Sequence, residues 1–199
     1  TAPREREITA YHEAGHALVA ASLKDSDPEH KVSIVSRGQA GGYTLKLPTE
    51  ELRLRTKSQF LSDLAMMMGG YAAEQSVFND LSTGASNDLQ KASELARALV
   101  TRYGMSEKLG PMTFGKTQDM IFLGREITHE RNYSEAVAKT IDAEVHGFID
   151  RAYKAAQKII MTRRKALDAV AKTLLEKEVL EQDDFYAVVK PFNLKPLAV

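Results

Sequence analysis

The fold is decided by the stretch from Ile8 to Leu23, which reads ITAYHEAGHALVAASL. Apolar side chains and two histidines recur in it at spacings of four, four, three and four: Ile8, His12, His16, Val19 and Leu23. This period is that of an α-helix with one face against a core. Pro3 suits an early helical position, and residues 24–28 (KDSDP) break the pattern, so we predict a helix from about Pro3 to Leu23.

The same stretch contains the pattern His-Glu-x-x-His at His12, Glu13 and His16. Histidines four residues apart lie one turn apart on one helical face, so both imidazoles can reach one metal ion. Glu13 lies beside them and can act as general base on a metal-bound water. A lone histidine on an apolar face is more often a core residue, but two buried imidazoles without a shared partner would be costly. We therefore predict a zinc site.

A catalytic zinc site has three protein ligands and an open position, so a third ligand is required. The chain has no cysteine, and no histidine follows His16 before Asp27. Asp88 and Glu74 both lie on apolar faces of predicted helices, where a carboxylate is costly unless it is paired or bound to metal. Asp88 could instead cap its helix. The spacing alone leaves the choice between the two carboxylates open.

The rest of the chain is typical of a mostly α fold, a helical zinc-peptidase domain with a small β-ribbon near the active site. The ribbon is predicted at residues 31–35 and 41–47, because these runs are short and rich in β-branched or aromatic residues. Further helices are predicted at about 49–78, 87–103, 134–160, 164–177 and 183–189. We interpret residues 1–199 as one zinc metallopeptidase domain and leave open a division into two helical lobes, roughly 1–133 and 134–199.

Composition limits the partners. The 27 basic and 27 acidic residues cancel, so no bulk charge indicates binding to nucleic acid. No run of about 18 apolar residues indicates a membrane span, so we expect the chain itself to be soluble. It begins at Thr1 without an initiator Met or a signal-peptide pattern, and we interpret it as the C-terminal part of a longer protein.

Several ordered motifs beyond the histidines also stand out along nearly the whole chain. They are Thr9–Val19 (TAYHEAGHALV), Lys31–Ile34 (KVSI), Gly69–Glu74 (GGYAAE), Ser82–Leu89 (STGASNDL), Tyr103–Gly110 (YGMSEKLG) and Leu174–Glu178 (LLEKE). With these motifs the sequence resembles the peptidase domain of the FtsH family. That family comprises membrane-anchored, ATP-dependent zinc metalloproteases of bacteria, mitochondria and chloroplasts.

The resemblance implies residue roles. It favours Asp88 as the third ligand of one zinc ion per chain, and it leaves Glu74 as a buried carboxylate that orients a ligand histidine. It also implies that an extended substrate pairs with the strand that follows the first helix. The substrate-binding residues would then be Val32, Ser33, Ile34, Val35, Gly41, Gly42 and Tyr43.

The resemblance also implies a larger machine for protein quality control. ATP would be used by an AAA+ ATPase module of the same polypeptide, because the present sequence has no GxxxxGK[ST] phosphate loop. We expect a homohexamer that degrades unfolded or membrane proteins at the cytoplasmic face of the bacterial inner membrane, or at the matching organellar membrane. Membrane contact would be made only through segments outside this sequence. The alternatives are a self-sufficient soluble zinc peptidase and a zinc-stabilised oligomerisation ring without activity. The presence of Glu13 counts against the inactive ring.

Overall fold

The computed structural model describes residues 2–27, 29–35, 43–46, 54–117 and 129–199. Most of these residues are helical, which confirms the predicted fold class. The helices are α1 (Pro3–Ser22), α2 (Lys57–Met67), α3 (Gly69–Phe78), α4 (Ser86–Thr101), α5 (Glu135–Thr162), α6 (Arg164–Lys177) and α7 (Gln182–Val189). None of these described helices combines the length and the apolar character that crossing a bilayer requires.

Helix α1 lies at the centre of the core, where it contacts α2, α3, α5 and α6. Its bounds agree with the prediction from the apolar spacing. The contact with α3 is unusually close because glycines face each other. A Cβ added to Gly15 would lie 2.7 Å from the Cβ of Ala73, and one added to Gly69 would lie 2.7 Å from the Gly15 carbonyl oxygen. The two backbones therefore touch, and this brings the histidine face of α1 against the start of α3.

The predicted helix over residues 49–78 is replaced by two shorter helices. Residues 49–53 lie outside the described part of the chain, and α2 begins only at Lys57. A capping box sets this start: Thr56 Oγ1 accepts from the backbone N–H of Gln59, and the Gln59 side chain accepts from the backbone N–H of Thr56. At Met68, with φ −82° and ψ −6°, α2 ends and α3 begins. The two glycines that follow are poor helix formers, which weakens an uninterrupted helix at this point.

The C-terminal helices complete the core. Ser134 caps α5 by accepting from the backbone N–H of Val137. Helix α5 packs against α2, α3 and α4, and α6 packs against α1. Leu18, Ile160 and Leu174 all lie in one cluster of buried residues. The division into lobes near residue 133 stays a prediction.

The predicted two-stranded ribbon is part of a three-stranded antiparallel sheet. Its strands are β1 (Glu29–Ser33), β2 (Tyr43–Lys46) and β5 (Val179–Glu181), in the order β2-β1-β5. Two further short strands, β3 (Lys116–Thr117) and β4 (His129–Glu130), pair with each other. Strand β5 was not predicted, because three residues between two helices carry too little periodicity to indicate a strand.

The sheet order shows how the strand with the predicted substrate-binding residues is paired. Strand β1 lies in the middle, and residues 31–33 pair with β2 on one side and with β5 on the other. Val32 and Ser33 are fully buried, and the Ile34 N–H donates to the Glu178 carbonyl oxygen. Val32, Ser33 and Ile34 therefore do not form an open edge of this sheet, and their role in substrate binding stays a prediction. Val35 lies beyond the strand and is exposed.

Two other parts of the predicted substrate-binding set have different positions. Gly41 and Gly42 lie outside the described residues. Tyr43 begins β2, an outer strand of the sheet. The outer strands of the described sheet are β2 and β5, and of these β2 contacts α1.

Candidate metal centre

Three side chains from two helices converge at one point. His12 and His16 lie on the buried face of α1, and their Nε2 atoms are 3.0 Å apart. Asp88, in the first turn of α4, places its Oδ2 2.9 Å from His12 Nε2 and 3.0 Å from His16 Nε2. The helical spacing of the histidines thus brings both imidazoles to one point, as expected. Of the two candidate carboxylates, the structure brings Asp88 to the Nε2 atoms.

The loop before α4 directs Asp88 toward the histidines. Ser82 Oγ accepts from the backbone N–H of Gly84, which closes the turn that leads into the short 3₁₀ segment Thr83–Ala85. Helix α4 follows directly at Ser86, so Asp88 falls in its first turn. Its Oδ2 is engaged with both histidines, and no side chain caps the start of α4, so the alternative capping role of Asp88 is not observed.

A backbone carbonyl orients His16. His16 Nδ1 lies 2.7 Å from the Met66 carbonyl oxygen, near the end of α2. A carbonyl oxygen only accepts hydrogen bonds, so Nδ1 carries the proton and donates it. The Nε2 atom of neutral His16 therefore presents a lone pair to the cluster.

Glu74 orients His12 in the same way. Its Oε2 lies 2.6 Å from His12 Nδ1, and its Oε1 accepts from the backbone N–H of Ser82 at 2.9 Å. Burial raises the pKa of Glu74, but the hydrogen bonds from His12 and Ser82 outweigh that effect and lower it. The ionised carboxylate only accepts, so His12 Nδ1 donates, and Nε2 is the nitrogen that can offer a lone pair to a metal when the ring is neutral. Glu74 thus contacts the ring nitrogen of His12 that faces away from Asp88.

The donor set fits a zinc ion. Two imidazole Nε2 atoms and a carboxylate oxygen meet at 2.9–3.0 Å, an arrangement that positive charge, from a proton or a metal ion, stabilises. Zinc bonds of about 2.0–2.1 Å in a tetrahedral site place ligand atoms about 3.3 Å apart, within a few tenths of an ångström of this spacing. Nitrogen and oxygen ligands of this kind suit zinc, and three of them leave a fourth position open.

The local electrostatics favour positive charge at this point. Burial disfavours the imidazolium form of His12, but the hydrogen bonds to Asp88 and Glu74 outweigh it and raise the pKa of His12 to about 10. Burial likewise acts to raise the pKa of Asp88, yet its bonds to His12 and His16 hold that pKa well below its usual range. Glu13, itself buried on α1, adds to the field that favours a cation at His12.

Sequence reasoning missed two of the groups that support the site. The Met66 carbonyl and the Ser82 N–H are backbone atoms, and no side-chain pattern reports them. Gly70 also supports the site, because a Cβ added there would meet the His12 ring. A glycine pair inside a helical pattern is a signal of close approach, and Gly69 and Gly70 could have indicated this contact.

Comparison with known proteins identifies the family. The model of the family described as peptidase family M41 matches residues 1–188. The chain belongs to peptidase family M41. Its membership confirms the resemblance to the FtsH-type family and makes the chain a peptidase domain by class. The roles of individual residues in this M41 domain stay proposals.

Relatives with curated names support the M41 assignment. The chain is 51% identical over 178 residues to "ATP-dependent zinc metalloprotease FtsH" of Veillonella parvula. This match covers 89% of the chain and 28% of the relative. It is 51% identical over 196 residues to "ATP-dependent zinc metalloprotease FtsH 1" of Sphaerobacter thermophilus, a match that covers 98% of the chain and 30% of the relative. For the FtsH of Caldicellulosiruptor bescii, the identity is 48% over 186 residues, and the match covers 94% of the chain and 30% of the relative. The chain thus spans less than a third of the length of these relatives.

Proposed function

We propose that this chain is a zinc endopeptidase domain in which His12, His16 and Asp88 hold the metal and Glu13 is the general base. The observation that carries the proposal is the convergence of His12 Nε2, His16 Nε2 and Asp88 Oδ2 within 3.0 Å of one another. Membership in a family of zinc peptidases supports the choice of metal.

The proposed mechanism assigns each group one task. Zinc, when bound, lowers the pKa of a coordinated water toward about 7 and polarises the peptide carbonyl. Glu13 accepts a proton from the attacking water while the water oxygen bonds to the carbonyl carbon. It then delivers that proton to the leaving amine as the C–N bond breaks. Glu74 and the Met66 carbonyl keep both Nε2 lone pairs directed at the metal.

We place the substrate along the outer strand of the sheet. An extended peptide can add to a sheet edge through main-chain hydrogen bonds, and this mode tolerates many sequences. Strand β2 is an outer strand and contacts α1, which carries the histidines. Tyr43 and the preceding Gly41 and Gly42 therefore keep a proposed role in substrate binding.

The proposal extends to the longer protein of which this chain would be a part. The relatives are named ATP-dependent and are more than three times as long as the matched region. We therefore propose an AAA+ module in the same polypeptide, a homohexamer, and unfolded or membrane proteins as substrates. The protein would act at the cytoplasmic face of the bacterial inner membrane or at the matching organellar membrane. A self-sufficient soluble peptidase and an inactive zinc ring remain the alternatives.

Cleavage of an unfolded substrate tests the proposed chemistry. The wild type, Glu13→Gln and Glu5→Gln are loaded with zinc and incubated with an internally quenched unfolded peptide and with a folded protein. Glu5 is the control, since it lies exposed on the same helix. We expect Glu13→Gln to retain zinc and lose at least about a hundredfold in rate, and Glu5→Gln to match the wild type.

Three outcomes would redirect the proposal. Wild-type rates in Glu13→Gln would remove Glu13 as the base. Zinc-loaded wild type without any cleavage would favour the inactive ring. Equal cleavage of folded and unfolded substrates would favour the self-sufficient peptidase.

A further inference from the structure

The break between α2 and α3 lies directly against the two histidines. Met66 is in the last turn of α2, where carbonyl groups lack the usual N–H four residues later, and the Met68 N–H contacts its carbonyl as well as that of Leu64. The Met66 carbonyl also accepts from His16 Nδ1 at 2.7 Å. An uninterrupted helix would use the same carbonyl for the N–H four residues later. The break therefore leaves an acceptor available to His16.

Gly70, in the first turn of α3, lies against the other histidine. A Cβ added there would lie 2.6 Å from both Nδ1 and Nε2 of His12, and its three nearest atoms all belong to that ring. Such distances overlap, so the imidazole occupies the space that any side chain at this position would need. The ring can keep its 2.6 Å bond to Glu74 only because residue 70 has no side chain.

The neighbouring glycines have a different environment. A Cβ on Gly69 would meet the Gly15 carbonyl oxygen at 2.7 Å, so a side chain there would push the α1 and α3 backbones apart. Close helix packing thus accounts for Gly69 and Gly15. It does not account for Gly70, whose added Cβ would contact the movable end of a side chain.

We infer that the α2–α3 break is a positioning device for the metal ligands, in which the Met66 carbonyl directs His16 and the bare Gly70 makes room for His12. Both are positioning residues, since they act through the histidines. The inference rests on the proposed zinc site. It adds that residue 70 must lack a side chain for His12 to present Nε2 to the metal.

The test measures metal binding directly. Zinc affinity is measured by competition with a chromophoric chelator for the wild type, Gly70→Ala and Gly147→Ala. The visible absorption spectrum of each cobalt-substituted protein and its far-ultraviolet circular dichroism are also recorded. Gly147 is the matched control, since it lies in helix α5 and a Cβ there would meet nothing within 4 Å.

We expect Gly70→Ala to bind zinc about 10–100-fold more weakly, the range found when the support of a ligand histidine is lost. Its cobalt spectrum should change because the ligand geometry changes, while its helical circular dichroism stays that of the wild type. Gly147→Ala should match the wild type in affinity and spectrum. As a second variant, Gly69→Ala should mainly lower the melting temperature of the chelator-treated protein.

Two results would overturn the inference. One is a Gly70→Ala affinity within twofold of the wild type together with an unchanged cobalt spectrum. The other is loss of helical circular dichroism in Gly70→Ala, because a Cβ that meets only a movable ring should leave the fold intact. Absence of zinc binding by the wild type would be distinguishable, since it removes the proposed function and this inference with it.

Discussion

Replacing Glu74 by Gln keeps the shape of a fully buried side chain and changes only its charge and hydrogen-bonding capacity. The carboxylate accepts two hydrogen bonds at once, from His12 Nδ1 at 2.6 Å and from the Ser82 N–H at 2.9 Å. A Gln amide has one oxygen and one NH₂ group, so it can accept only one of them. Either orientation places two hydrogen-bond donors against each other.

The two orientations differ in their consequences. If the amide oxygen faces His12, the Ser82 N–H is left without its acceptor, at a cost of about 1–3 kcal/mol. If the NH₂ group faces His12, the imidazole must shift its proton from Nδ1 to Nε2, and the lone pair that would bind the metal is lost. In both cases the support of His12 weakens, so we expect zinc affinity to fall about 10–100-fold. This fall corresponds to about 1.4–2.7 kcal/mol.

Competition against a chromophoric chelator measures this loss. Glu94→Gln is the control, because this substitution removes the same charge at an exposed position of α4. We expect Glu94→Gln to bind zinc as the wild type does. A Glu74→Gln affinity within twofold of the wild type would refute the reasoning, since neither orientation of the amide permits it.

Three further predictions concern α1 and its surroundings. Glu13→Gln should keep the zinc content of the wild type and lose cleavage, as elemental analysis and a peptide assay on the same sample would show. Tyr11→Phe removes the hydrogen bond from the phenol to Asp168 at 2.8 Å and should lower the free energy of unfolding by about 1 kcal/mol in urea titrations at pH 8. Burial and Asp168 raise the pKa of Tyr11 to about 12. The difference in unfolding free energy between the wild type and Tyr11→Phe should therefore be fully present below about pH 10, the ordinary pKa of tyrosine, and vanish as the pH approaches 12. A difference that grows between about pH 10 and pH 12 would contradict this assignment. Gly15→Ala, whose Cβ would meet the α3 backbone, should lower the melting temperature even with the metal chelated, and an unchanged value would count against the close helix contact.

The sequence predicts the parts of this site that depend on helical period. His12 and His16 fall on one face because α-helices have 3.6 residues per turn, and the apolar residues around them predict which face is buried. The same reasoning placed Asp88 and Glu74 on buried faces but could not choose between them. That choice depends on how α3 and α4 approach α1, which the sequence of one helix does not contain.

The parts that the sequence did not predict depend on contacts between distant segments. Strand β1 looked like an edge because its second partner, β5, lies far along the chain between α6 and α7. The break at Met68 was missed because residues 57–78 keep a helical pattern through it. Contacts made by backbone groups, such as the Met66 carbonyl, leave no trace in side-chain periodicity.

Bound zinc per chain tests the central proposal most directly. Elemental analysis is made on the wild type, on Asp88→Asn and on Asp184→Asn, the last an exposed control on α7. We predict about one zinc per chain in the wild type and in Asp184→Asn, and little in Asp88→Asn, because two histidines alone do not complete the ligand set. Full zinc content in Asp88→Asn, or none in the metal-replete wild type, would contradict a site built from His12, His16 and Asp88.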